Sequence, residues 1–340
     1  MAYSTIIKPN TQMNPVTYTG NGTTQSITGV NFQPDFVWVK SRGFAEDHQL
    51  TDSVRGVTKV LQSNLADAES TMTGGLTAFN ADGFSVGNQS DFNYNGDTLI
   101  SWNWKAGGTA VSNTDGSITS SVSANTTAGF SVVSYTGTGS NATIGHGLGV
   151  APSMIINKPL NIVSSWAVGT SSLGFTEVIY LEGTGASFSN STFWNNTAPA
   201  SSVFSVGSAP GTDANIAYCF ADVKGFSKFG SYTGNGDADG TFVYTGFKPA
   251  WVMIKRSSGT QAWIMYDNKR SVFNTTNDIL YANTNGAESV DNSVGIDFLS
   301  NGFKCRSADD SINSGTYIYM AFAENPLVAN TIGGIPTTAR

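Results

Sequence analysis

The chain has 340 residues, a formal net charge of −7, 12% charged, 39% hydrophobic and 11% aromatic residues. That apolar share suffices for a packed core, and so few charges exclude disorder of the highly charged, weakly hydrophobic kind. The acidic balance, with no basic run longer than Lys255–Arg256 or Lys269–Arg270, argues against nucleic acid as a partner.

Gly, Ser, Thr and Asn cover the surface in place of Lys and Glu, a composition that favours strands and turns. The opening MAYSTIIKPN lacks the apolar core of a secretory signal. No apolar run approaches the roughly 20 residues of a membrane-spanning helix, so membrane insertion is not expected. Cys219 and Cys305 rule out a disulfide framework and leave a single bridge open.

In chain order, residues 1–15 read as an N-terminal arm. The first landmark is YTGNG at Tyr18–Gly22, which returns as YTGTG at Tyr135–Gly139 and YTGNG at Tyr232–Gly236. Asn-Gly tolerates the positive φ of tight turns, so the motif is expected to be a hairpin corner. A phosphate cradle is rejected, because no Lys-Ser/Thr pair and no helical pattern follow.

Each copy is followed by a Pro-led apolar strand ending in Lys: PDFVWVK at Pro34–Lys40, PSMIINK at Pro152–Lys158 and PAWVMIK at Pro249–Lys255. Its apolar residues run without alternation, so both faces must be covered. Val57–Ala68 reads equally as a helical turn or a strand. A Phe strand comes next, around Phe84, Phe204 and Phe303. Closing strands ISWNWK, IAYCFA and IYMAFA begin at Ile100, Ile216 and Ile318. Their period of two is that of half-buried antiparallel strands.

Four landmarks in one order define a repeat. The expected fold is all-β, with three tandem antiparallel β-sandwich (jelly-roll-like) modules at 16–108, 129–224 and 225–324. A Ser/Thr/Asn-rich linker at 109–128, with a short extended piece at Ser117–Val122, joins the first two. Residues 325–340 form a C-terminal tail.

Candidate site residues are few. Asp52-x-x-Arg55 and Asp267-x-x-Arg270 follow the Lys landmark at equal distances, whereas the second module has Thr170 and Leu173 there. The pair reads either as a salt bridge fixing a loop or as a ligand or subunit contact. Trp166, Trp194, Trp263 and Tyr266 are candidates for stacking on sugar rings, with core packing as the alternative reading. Ile318, Met320 and Phe322 are assigned to the third module's core. Tyr317, Tyr319, Ala321 and Ala323, on the other face, are assigned to an interface with a neighbouring module or subunit.

No local motif builds a catalytic triad around His48 or His146. No spacing marks a zinc site, and Asp237–Gly240 fails as an EF-hand because Lys248 stands where a Glu is needed. Carboxylates such as Glu177 and Glu182 are not singled out as a glycosidase pair. No cofactor and no catalytic residue are expected.

YTGNGTTQSITGVNFQPDFVWVKSRG, HQLTDSVRG, DGFSVG, the stretch from ISWNWKAGG to GHGLG and the closing YMAFAENPL together resemble the repeat-containing virion and tail-fibre-like proteins of tailed bacteriophages, notably those of marine bacteria and cyanobacteria. The resemblance covers residues 8 to 328. It implies a non-enzymatic, particle-exposed structural protein, assembled in the host cytoplasm and released by lysis. Implied partners are other tail or capsid proteins, further copies of the chain in a homo-oligomer such as a trimer, and a host-surface glycan. The competing roles are adsorption as a tail fibre or appendage, capsid decoration or head fibre, and, more remotely, polysaccharide degradation.

Overall fold

The computed structural model describes residues 4–327. The chain is all-β: antiparallel sheets carry the regular structure, and helices are single turns such as Ser90–Asn93 and Ser191–Trp194. Val57–Ala68 contributes the short strand Lys59–Val60.

One pairing order recurs along the chain. In the first segment the opening strand Met13–Thr19 pairs with the closing strand Thr98–Trp104. The closing strand pairs with the Pro-led strand Phe36–Ser41, which pairs with Gln49–Asp52. The second segment repeats this with Phe130–Thr136, Ala214–Phe220, Met154–Pro159 and Ala167–Thr170. The third does so with Ser227–Thr233, Thr316–Pro326, Phe247–Arg256 and Ile264–Asp267. A smaller sheet accompanies each, built on the pairs Gln25–Thr28 with Gly83–Val86, Ala142–Gly145 with Val203–Val206, and Phe242–Tyr244 with Gly302–Cys305.

Between the first two segments, Val111–Asn113 and Ser120–Asn125 are strands that extend the second segment's large sheet. Before the first, Pro9–Thr11 forms a 3-10 turn, and Ile6 is buried in a core shared with Met13, Phe36 and Trp104. Residues 328–340 of the expected tail lie outside the described residues.

The YTGNG loops are not hairpin corners. The strands before and after each loop belong to different sheets, so the loop carries the chain from the large sheet to the small one. The chemistry of the turn survives this correction: Gly22, Gly139 and Gly236 each sit at φ 68°. Their N–H groups donate to Asn93, Gly211 and Asn313 carbonyls at 2.9, 2.7 and 2.6 Å. The first glycine of each motif is required for another reason. A Cβ on Gly20, Gly137 or Gly234 would lie 2.1, 2.3 or 2.1 Å from the backbone of Tyr94, Gly211 or Asn313. Gly234→Ala is expected to cost about 1–3 kcal/mol through overpacking, read as a lower midpoint in urea unfolding.

Two buried carboxamides brace the first and third loops. Asn313 accepts from the N–H groups of Asn235 and Thr241 and donates to Asn235 Oδ1, Asp237 O and Ser307 O. Asn93 does the same for Asn21, Thr23 and Gly87. The motif is repeated because each crossover needs the same close backbone approach.

The closing strands differ from expectation in being buried on both faces. Ile100, Trp102 and Trp104, with Ile216, Tyr218 and Phe220, and Ile318, Met320 and Phe322, belong to one cluster drawn from all three segments. The opposite faces belong to separate clusters, each within one segment and shared with that segment's small sheet. The faces of the third closing strand are therefore exchanged. Tyr317, Tyr319, Ala321 and Ala323 pack within their own segment against Val243 and Phe303, while Ile318, Met320 and Phe322 meet the neighbouring segments. A period of two separates two faces but does not say what covers each.

Candidate functional site

Of the residues singled out in the sequence, the Asp-x-x-Arg pairs, Trp166 and Trp263 lie at the junctions between segments, whereas Trp194 and Tyr266 pack inside their own segments. The most regular element is a backbone cycle. The second residue after each Lys landmark (Arg42, Leu160, Ser257) offers its carbonyl to another segment. Glu69 N–H donates to Leu160 at 2.7 Å, Ser187 N–H to Ser257 at 3.0 Å, and Glu288 N–H to Arg42 at 2.8 Å. The first segment binds the second, the second the third, and the third the first.

A side-chain cycle accompanies it. Eight residues after the three lysines stand His48, Trp166 and Trp263. Trp166 Nε1 donates to Gln62 O at 3.0 Å and to Leu65 O at 3.1 Å. Trp263 Nε1 donates to Tyr180 O at 2.9 Å, and His48 Nε2 lies 3.0 Å from Tyr281 O. Trp38 Nε1 donates to His48 Nδ1 at 2.8 Å, which fixes the neutral imidazole with its proton on Nε2. Burial, helped by nearby Lys40, pushes the His48 pKa down to about 3. The unfolded chain binds this proton below its ordinary pKa of about 6.5. The contribution of His48 is thus whole above that value and is lost as pH falls towards 3. Stability measured by urea unfolding is expected to decline over this window, and His48→Gln to flatten the decline.

The lysines themselves are fully buried. Lys158 Nζ donates to Ala66 O at 3.2 Å and Lys255 Nζ to Thr184 O at 3.1 Å, both across a junction. Lys40 donates to Ser41 and Phe44 carbonyls within its own segment. Desolvation pushes all three down to about 8.

The two Asp-x-x-Arg pairs are alike in detail. Arg55 Nε and Arg270 Nε each lie 2.5 Å from their Asp Oδ2, and each Nη2 donates to a strand carbonyl, Leu50 or Met265, at 2.9 Å. Each Nη1 reaches a glutamate, Glu69 at 3.2 Å or Glu288 at 3.1 Å. The Asp then accepts from a closing strand of another segment: Tyr218 OH to Asp52 at 2.8 Å, and Trp102 Nε1 to Asp267 at 3.0 Å. Arg270 also lies over the Trp102 ring, 5.7 Å from its centroid. Burial opposes the charge on Arg55, but Asp52 raises its pKa above the usual value.

The third junction lacks every member of this clasp. Thr170, Leu173 and Ser187 stand where Asp, Arg and Glu stand elsewhere, and Met320 replaces the donor. Leu173 packs on the shared core instead. Loss of the ions and loss of the donor go together, as the cost of an unpaired buried charge requires.

Trp166, Trp194, Trp263 and Tyr266 are all buried. The Tyr266 hydroxyl donates to Val294 O at 2.5 Å. Those rings do not form an exposed sugar platform. Cys219 and Cys305 are free thiols, buried in different clusters. Glu182 accepts from Trp166 N–H at 3.0 Å. Asp237 and Asp239 form an Asx turn, with Asp239 paired to Lys304 at 2.6 Å. Among the described residues no group of three or more His, Cys, Asp or Glu side chains is arranged to hold a metal ion, and no helix is long and apolar enough to cross a membrane.

Sequence reasoning missed the cycle, although its signal was present. The position eight residues after each Lys holds a ring N–H donor in all three segments, and the residue types differ enough to hide it.

An all-β, antiparallel protein whose buried polar groups tie one part of the chain to another is the class that these observations define. Residues 8–326 match the family described as a domain of unknown function, DUF7483, and the chain belongs to that family. No curated protein matches it.

Proposed function

We propose that the chain is a bacteriophage virion structural protein, a surface-exposed tail fibre or appendage that takes part in host adsorption. In this reading it consists of three jelly-roll-like sandwich repeats closed around a pseudo-threefold axis. The observation that carries the reading is the closed backbone cycle through Arg42, Leu160 and Ser257. One chain makes for itself the contacts that three subunits of an appendage would make with one another. Its distinctive polar groups serve those contacts: His48, the Asp-x-x-Arg pairs and two of the three landmark lysines, Lys158 and Lys255. Such a scaffold is passive, and its crossover loops repeat at three related positions, a geometry suited to a mount of threefold symmetry.

That compactness also favours a second role, as a decoration or head-fibre protein on the capsid. The test is binding of labelled, purified chain to host cells and to DNA-free capsids. Adsorption predicts saturable cell binding that added host-surface glycan competes away. Binding to capsids with none to cells would overturn adsorption in favour of decoration.

A further inference from the structure

The small sheet of each segment has an edge strand that comes first in the chain: Gln25–Thr28, Ala142–Gly145 and Phe242–Tyr244. In each, one buried aliphatic residue faces the landmark Phe, as Ile27 faces Phe84, Ile144 faces Phe204 and Val243 faces Phe303. The residues on either side of it differ. They are Ser26 and Thr28, then Thr143 and Gly145, then Phe242 and Tyr244.

The second segment has its edge strand covered by the linker that precedes it. Ile118 is bridged in parallel to Ile144. Its N–H donates to Thr143 O at 3.1 Å, and Ser120 Oγ donates to Gly145 O at 2.8 Å. Ser117 and Thr143 exchange two more bonds of 2.9 Å, each from an N–H to the other's hydroxyl. Ile118 itself packs on the interior cluster of that segment.

Among the described residues, no strand covers Phe242–Tyr244 in this way. The connector before the third segment, residues 221–226, is turned back by bonds between Val223 and Ser227. The ladder fixes which groups face the open side. Cys305 N–H donates to Thr241 O and Thr245 N–H to Asn301 O, each at 3.0 Å. Bonded pairs alternate along an antiparallel ladder, so Val243 also bonds inward, and the N–H and C=O of Phe242 and Tyr244 point away from the sheet. These are the positions of Thr143 and Gly145, whose carbonyls the linker occupies. The Phe242 and Tyr244 side chains are 43% and 56% exposed. An edge strand that shows two aromatic rings invites pairing, and the first segment avoids this with Ser26 and Thr28. A groove of about 380 Å³ lies beside Tyr244, lined also by Ser227, Lys228 and Thr245.

We propose that strand Phe242–Tyr244 accepts an extended segment of a partner protein, added in parallel as the linker is added to Ala142–Gly145. The chemistry of that segment is the linker's own: one β-branched aliphatic residue beside Val243, flanked by Ser, Thr or Gly. Main-chain bonds to Phe242 and Tyr244 hold it, and its small polar side chains lie beside the two rings. The proposal does not depend on whether the chain is mounted on a tail or on a capsid.

The experiment titrates the full chain with a fluorescein-labelled peptide of the linker sequence Thr114–Ser121, followed by fluorescence anisotropy. Amide hydrogen exchange is measured with and without the peptide. The expected result is a saturable rise in anisotropy and slowed exchange at the Phe242 and Tyr244 amides. An Ile118→Asp peptide should not bind. Tyr244→Pro removes an outward N–H without touching a ladder bond and should weaken binding at least about tenfold. Should that variant fail to fold, the double variant Phe242→Ser, Tyr244→Thr, which carries the first segment's residues, decides in its place. No binding up to about 1 mM peptide would overturn the proposal. So would binding that leaves both amides unprotected, which would mean a ligand resting on the rings alone. Slowed exchange at these amides in a dimer of the chain without peptide would assign the edge to a second copy and overturn a foreign strand.

Discussion

Replacing Asp267 by alanine is expected to lower stability by about 3–5 kcal/mol, the usual cost of stranding one partner of a buried ion pair. The guanidinium of Arg270 would lose its 2.5 Å contact at 0% side-chain exposure on both partners. Trp102 Nε1 would lose its only acceptor across the junction of first and third segments. Glu288 softens the loss, since it also holds Arg42 at 2.5 Å across the same junction. Asp52→Ala should behave alike through Arg55 and Tyr218. At the third junction, the equivalent change Thr170→Ala should cost far less, because Thr170 only caps a 3-10 turn. Urea denaturation of the three variants checks the ranking, and an equal cost at all three sites would contradict it.

The second large effect is expected from Trp102→Ala, at about 3–5 kcal/mol from lost burial and the cavity left in the shared core. The Trp102 ring touches Trp38 edge-on at 6.0 Å between centroids and stacks with His48 at 6.4 Å. It also lies under the Arg270 cation. Because Trp102 and Asp267 act as one contact, the double variant should cost less than the sum of the singles. Strict additivity in that cycle would mean that the hydrogen bond contributes nothing.

How much of this was legible depended on what each signal encodes. The repeat and its landmarks were plain, because four landmarks of like chemistry recur in the same order three times. The all-β class followed from alternation and turn residues. The destination of each face was not legible. Trp102 and Ser101 alternate cleanly, yet both are buried, because a second sheet covers one face and the other segments cover the other. For the same reason Tyr317 and Tyr319 read as an outward stripe when they line the interior of their own segment. The YTGNG loop misled in a related way. Its Asn-Gly fixes a backbone angle, and a tight crossover between sheets uses that angle as readily as a hairpin does. The Asp-x-x-Arg pairs were visible as pairs. Their partners Tyr218 and Trp102 lie more than a hundred residues away in sequence, and no local pattern links them.

The pattern at the third junction connects sequence to energetics. There the Asp, Arg and Glu, and the closing-strand donor, are absent together, and Leu173 and Met320 supply apolar contact instead. A buried ion pair and a well-packed apolar patch can be nearly equivalent in stability, whereas half of either is not. The ring is therefore closed by two polar clasps and one greasy one.

The account rests on three repeats sharing one core, and calorimetry of the intact chain tests it most directly. A shared core predicts one cooperative transition, with a van't Hoff to calorimetric enthalpy ratio of about one. A ratio near about one third, or separate transitions for the three segments, would mean that the repeats unfold independently and would contradict the closed ring.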